Sequence, residues 1–232
     1  MSLETPMPQV QIKICGITSA EDAQLAMDAG AHWLGLILAP QSPRALTLAQ
    51  AQAITSALAA QSPSPAWVGV FQDTDRATIQ QALDTLPLVA IQLHGQEPPE
   101  LISGWPVPVI KALSVPLEGL SRQALSAYTR LGAHVLLDAP KGLSPEEKAQ
   151  WLNEWIHPLA PAALPPGTWL AGGLNPENIE TLLGHIRPAC VDVASGVESA
   201  PGIKDPHKVH AFCQAVRRAA ANPLPEAGTV LS

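Results

Sequence analysis

The sequence predicts a single (βα)8 TIM barrel, a closed parallel eight-stranded sheet inside a ring of helices, and three observations predict it. Short apolar runs recur eight times along the chain. Segments of helical periodicity lie between them, as alternating strand and helix units require. No GxGxxG follows the first run, which leaves the open doubly wound sheet as the runner-up. At 232 residues one large core can be buried without staples, so 1–232 is expected to be one barrel domain with a loosely held tail at 222–232.

The runs are 10–15, 33–38, 67–71, 89–93, 107–112, 134–137, 168–171 and 190–193. All are short, which makes them eight candidate strands. Between them, Ile79, Ala82, Leu83 and Leu86 make one helical stripe. Ile179, Leu182, Leu183 and Ile186 make a second, and Val209, Phe212, Cys213 and Val216 a third. Thr18 with Glu21, Thr47 with Gln50, and Ser144 with Glu147 read as capping boxes, in which a hydroxyl accepts from a free N–H and the third residue reaches back. Asn175 before Pro176 reads as a cap with proline in the first turn, and Gly30 and Gly132 suit helix stops.

Composition excludes several classes. With 47% hydrophobic and 14% charged residues and a mean hydropathy of +0.13, the chain is globular rather than disordered. The prolines concentrate in connections such as 62–65 and 158–166, which speaks of rigid loops rather than chemistry. Thirteen Lys and Arg against twenty Asp and Glu give a net charge of −7, and no basic cluster marks a nucleic-acid surface. The first eleven residues lack the pattern of a signal peptide, and no apolar run is long enough for a membrane span. Cys15, Cys190 and Cys213 are odd in number and form no CxxC pair, which fits a reducing compartment, so a cytoplasmic protein is expected. Nothing in the pattern speaks to oligomeric state.

In such a barrel reacting groups stand at the C-terminal ends of the strands. Cys15 ends the first run before a glycine turn. Taken alone it reads as a small buried hydrophobe sooner than as a base; its position shifts that reading, since a helix N-terminus just beyond it would favour the thiolate. Cys190 and Cys213 read as structural. Asp138 closes the sixth run as a cap, a loop anchor or a functional acid, and its helix starts later, near Ser144. Arg44 follows Ser42-Pro43, and its fork suits a carboxylate. Gly172-Gly173 and Ser195-Gly196 fall in the seventh and eighth units, where backbone N–H groups can cradle a phosphate. His207 and His210 sit on the last helix without nearby carboxylates and read as surface histidines. Strand alternation puts Lys13 on the face of Cys15, and Asp192 on the face of Ala194. Since the first and eighth strands become neighbours when a barrel closes, a buried Lys13–Asp192 pair beneath the site is expected.

These strand ends, in order, resemble the N-(5'-phosphoribosyl)anthranilate isomerase family of tryptophan biosynthesis. The matching pieces are 13–18 (KICGIT), 42–44 (SPR), 68–71 (VGVF), 92–95 (QLHG), 136–138 (LLD), 171–178 (AGGLNPEN), 192–198 (DVASGVE) and 201–202 (PG). The resemblance implies an Amadori rearrangement of a phosphorylated small molecule without cofactor or metal. It implies that Asp138 is the general acid and Cys15 the general base. It also implies that Arg44 holds the anthranilate carboxylate, and that Gln92, His94, Gly172, Gly173, Ser195 and Gly196 bind substrate. A sister sugar-phosphate epimerase would need another acid and base set, whereas a silent paralogue that only binds a phosphorylated ligand stays open. The reason is the loop at 139–144, which reads APKGLS where the family usually carries GGTG or GGSG. Fewer conformations there predict less complete closure and a slow isomerase, unless Lys141 replaces the missing contact.

Overall fold

The computed structural model describes residues 10–115, 122–140, 142–144, 147, 148, 150–152 and 164–222. Eight parallel strands follow in chain order: β1 (Gln11–Cys15), β2 (Trp33–Ile37), β3 (Trp67–Phe71), β4 (Leu88–Leu93), β5 (Val109–Ser114), β6 (His134–Asp138), β7 (Trp169–Leu170) and β8 (Cys190–Val193). Because β8 pairs back onto β1, the sheet closes into the expected barrel. Around it stand α1 (Ala20–Asp28), α2 (Leu48–Ala57), α3 (Arg76–Thr85), α4 (Arg122–Thr129), α5 (Ile179–His185) and α6 (Pro206–Ala221). A small hairpin, β9 (Glu198–Ala200) with β10 (Ile203–Lys204), sits between β8 and α6.

Strand alternation divides the apolar residues into two cores. Ile12, Ile14, Leu34 and Leu36 point outward and pack with helix residues such as Ile79, Leu183, Phe212 and Val216. Inside the barrel a second cluster gathers Val68, Ala90, Ile110, Ala112, Leu136, Trp169, Ala171 and Cys190. At its N-terminal end the Trp33 and Trp169 rings lie 5.4 Å apart. Several of the interior residues are small, and two fully buried lysines, Lys13 and Lys111, share the space with them.

The register of closure sets Lys13 directly beside Asp192. The Lys13 ammonium donates to both Asp192 oxygens, at 3.0 and 2.9 Å. The pair expected from alternation is therefore present beneath the mouth of the barrel. Burial alone works against the ammonium, but the Asp192 carboxylate and the adjacent Cys15 outweigh it and hold the lysine's proton more tightly than usual.

Differences from the expected elements have local causes. The fifth strand starts at Val109 rather than Val107, because Pro108 has no N–H to give the ladder, although its carbonyl accepts from Ile91. The seventh is only Trp169–Leu170, although the Ala171 N–H still reaches the Leu137 carbonyl. Ser19, not Thr18, caps α1 and accepts from Asp22, while the Thr18 hydroxyl is spent on the Gly202 carbonyl. The Thr47–Gln50 box is present, and so is the Ser144–Glu147 box, with bonds of 2.7 and 3.2 Å. Asn175 accepts from Glu177 and Asn178 in the turn that leads into α5. Gly30 and Gly132 both have φ above +80°, as helix stops require. Of the tail expected to be loose, residues 223–232 lie outside the described residues.

Breaking the interior pair from one side strands a charge away from water. Asp192→Ala should therefore lower unfolding stability by about 3 to 5 kcal/mol in urea titrations. A Lys13→Met/Asp192→Leu double variant should recover most of that loss, and equal losses in both would rule out a stranded charge as the cause.

Candidate active site

A cavity of about 240 Å³ opens at the C-terminal end of the strands, lined by residues of most of the barrel's units. Cys15 enters it from β1, Gln92 and His94 from β4 and its following turn, and Asp138 from β6. Gly172, Gly173 and Ser195 come from the loops after β7 and β8, and Arg44 from the turn after β2. The structure thus gathers the residues read at the strand ends around one space. Gly196 stands behind this wall: a side chain there would strike the Leu174 carbonyl, so its bare backbone lets the β7 and β8 loops touch. Gly172 has φ +93°, and any side chain on it would collide with Ala139 and the Asp138 carboxylate.

The thiol differs electrostatically from expectation. Burial pushes the Cys15 thiol up, and Lys13 only partly offsets it. The helix end expected to favour thiolate starts only at Ala20, with Ser19 as its cap, and burial prevails at the thiol. The N–H groups of Gly16 and Ile17, just after the cysteine, are both taken by the Gly35 carbonyl at 3.0 Å. Cys190 and Cys213 are buried away from the cavity, and burial pushes Cys213 up to about 11. His207 and His210 are exposed on α6. Among the described residues no three His, Cys, Asp or Glu side chains converge as a metal set, and no helix is long and apolar enough to cross a membrane.

Asp138 is not a helix cap. Its carboxylate lies 3.0 Å from the His94 Nε2, and the other ring nitrogen lies 2.9 Å from the Gln92 amide nitrogen. Arg44 is held by Glu198, a residue to which the sequence alone assigns no role. Glu198 accepts from its Nε and Nη2 at 2.7 and 2.5 Å, one edge of the guanidinium, and leaves the Nη1 side. The buried Lys204 ammonium donates to Glu198 at 2.8 Å and to the Cys15 carbonyl at 2.7 Å, which ties the end of β1 to the β9–β10 hairpin. Burial pushes Glu198 up, but hydrogen bonds from Arg44 and Lys204 outweigh it and keep the carboxyl below its ordinary range.

Lys111, on the inward face of β5, donates to Glu97 at 2.7 Å and to the Gly95 carbonyl at 2.7 Å. Glu97 in turn accepts from the N–H of Gly95 and of Asp73, which pins the turn that carries His94. Alternation within the apolar run at 107–112 could have flagged Lys111, as it flagged Lys13. Glu97, Glu198, Lys204 and the cavity-lining Lys148 lie in segments without periodicity and gave no such signal. Lys141 lies outside the described residues.

A closed barrel whose mouth brings a thiol, a carboxyl and glycine-bearing loops after its last two strands around one cavity is the framework of a (βα)8 enzyme of acid–base type. The model of the N-(5'phosphoribosyl)anthranilate (PRA) isomerase family matches residues 12–215, and the chain belongs to that family. Relatives named N-(5'-phosphoribosyl)anthranilate isomerase include one from Pseudomonas fluorescens, 42% identical over 91% of this chain and 98% of its own. Another, from Azotobacter vinelandii, is 41% identical over 92% of this chain and all of its own. A crystal structure of phosphoribosyl anthranilate isomerase in complex with reduced 1-(o-carboxyphenylamino)-1-deoxyribulose 5-phosphate superposes with a TM-score of 0.72. It is 32% identical and covers 90% of this chain and 100% of its own.

The depressed Glu198 and Glu97 carboxyls have a consequence for acid stability. Folded, both keep their protons off to lower pH than in the unfolded chain. Their contribution is therefore complete above the unfolded glutamate value of about 4.3 and is lost as pH falls through the lower folded values. Urea midpoints followed through this window should drop with acid, and Glu198→Gln should flatten the drop; an unchanged slope would count against the coupling.

Proposed function

We propose that this chain converts N-(5'-phosphoribosyl)anthranilate to 1-(2-carboxyphenylamino)-1-deoxyribulose 5-phosphate in tryptophan biosynthesis, with Asp138 as acid and Cys15 as base. The observation that carries the reading is the meeting of Cys15, Asp138 and Arg44 with the glycine-bearing β7 and β8 loops around one cavity, in a chain of this family.

The rearrangement starts at the furanose ring oxygen. Asp138 gives it a proton as the C1'–O bond breaks, and the anthranilate nitrogen's lone pair forms the Schiff base. Cys15 as thiolate then takes the C2' proton, leaving an enolamine. Cys15 returns its proton to C1' and the Asp138 carboxylate takes the enol proton, which gives the amino ketone and restores both groups, so the reaction is an isomerisation with no net gain of protons or electrons. An acid and a base suffice, and the chemistry asks for no cofactor. Burial that raises the Cys15 thiol makes its thiolate scarcer but a stronger base once formed, with the Lys13 ammonium beside it as counter-charge.

Substrate binding divides along the same lines. Backbone N–H groups at Gly172, Gly173 and Ser195 suit the phosphate, with Gly196 behind them letting the two loops meet. Arg44, braced on one edge by Glu198, offers its other side to the anthranilate carboxylate. We read residues 1–232 as one catalytic domain acting in the cytoplasm on a small phosphorylated molecule, with no nucleic-acid or membrane partner.

Cys15→Ser and Asp138→Asn should each cut turnover by about two to four decades. Loss of anthranilate-type fluorescence of the substrate provides the assay, and near wild-type turnover in either variant would remove that residue from its role. The loop at 139–144 should make turnover slow while affinity is kept. Grafting GGSG into it should speed single-turnover chemistry. No gain, together with severe loss in Lys141→Ala, would favour the lysine as a replacement contact.

A further inference from the structure

Two side chains stand in line behind the proposed acid. The Gln92 amide, the His94 imidazole and the Asp138 carboxyl are joined end to end, 2.9 Å and 3.0 Å apart. Gln92 is 1% exposed, and among the described residues its Oε1 has no hydrogen-bond partner. No second bond therefore holds the amide in one orientation. A half-turn would exchange nitrogen for oxygen opposite the imidazole while every other heavy atom kept its place.

The two orientations have opposite consequences for Asp138. With the amide nitrogen toward the ring, Gln92 donates to Nδ1. His94 then carries its proton on Nε2 and donates it to Asp138, which favours the carboxylate. With the amide oxygen toward the ring, Nδ1 must carry a proton. Nε2 is then free to accept from a carboxylic acid at Asp138, or to share the one proton between them as an imidazolium–carboxylate pair. The first arrangement suits an acid that has given up its proton, the second an acid that still holds it.

We propose that Gln92 and His94 are positioning residues that set whether Asp138 carries its proton, with the orientation of the Gln92 amide as the selector. This rests on Asp138 being the acid of the rearrangement. It also gives both residues a task other than contact with substrate, because both ring nitrogens of His94 are already engaged.

Other charges face this line without joining it. Cys15, Arg44, Lys148 and Asp192 line the same cavity. Arg44 is paired along one edge with Glu198, and Asp192 is paired with Lys13. Behind the His94 backbone, Lys111 is neutralised by Glu97, and the Asp73 carboxylate accepts from the Gln96 N–H. Among the described residues, His94 is the hydrogen-bond partner of the Asp138 side chain.

The test is the pH dependence of turnover, with the Asp138 limb defined as the one that Asp138→Asn removes. Gln92→Glu presents only oxygen to Nδ1, so it should move that limb upward by about one pH unit. His94→Gln keeps an amide near the place of Nε2 but cannot exchange a proton. It should lower kcat by about ten- to a hundredfold while KM changes by less than about twofold. Nitrogen-15 spectra of the His94 ring give a readout without any substitution: in wild type bound to a product analogue, Nδ1 should carry the proton. If Asp138→Asn cuts turnover by decades and removes the limb while both other variants leave the limb in place, or raise KM alone, the relay is wrong and the acid assignment stands. If Asp138→Asn retains turnover, the acid assignment itself fails. An Nδ1 that stays unprotonated in the bound wild type and in Gln92→Glu would also overturn the relay.

Discussion

Closure of the sheet between β8 and β1 confronts Lys13 with Asp192 inside the barrel, and much of the active end is arranged around that meeting. Two opposite charges removed from water tolerate little displacement, since any gap leaves desolvation uncompensated. The pair therefore favours a single register for the seam. Two residues above Lys13 on the same face, Cys15 lies within the ammonium's field, and the pair's net effect on the thiol is smaller than that of burial. The interior is thus polar where chemistry begins and apolar below, where Trp169, Leu136 and Cys190 fill the space.

Two further buried ion pairs extend this plan to the loops. Lys204 with Glu198 ties the hairpin after β8 to the carbonyl of Cys15 and braces Arg44. Lys111 with Glu97 anchors the turn after β4 that presents His94. Each pair fixes a backbone segment through several hydrogen bonds at once, as a functional side chain carried on a loop requires. Positioning at this barrel mouth thus comes from charge pairs inside the strand ends more than from the loops' own conformations.

The chain was unusually legible where strands met chemistry. Apolar runs marked all eight strands, and alternation placed Lys13 and Cys15 inside before any tertiary information. It erred where one local property competed with another. Thr18 and Ser19 are both good caps, and the one that wins is decided by Gly202, distant in sequence, which claims the Thr18 hydroxyl. Val107 belongs to an apolar run but stands before a proline that cannot enter the ladder as a donor. The thiol was expected to feel a helix end, and its burial and the lysine beneath it matter more.

By itself the sequence determined the barrel, its strand order and the residue types at each strand end, because periodicity and caps act within a few residues. It determined the Lys13–Asp192 pairing as well, since a closed sheet makes first and last strands neighbours. Only the tertiary structure decided that Glu198 braces Arg44, that Lys204 grips the Cys15 carbonyl, and that His94 stands between Gln92 and Asp138. Those contacts join residues as far as 189 positions apart. Which loops meet at the barrel mouth depends on how each chain segment packs over the closed sheet, and no local pattern encodes that.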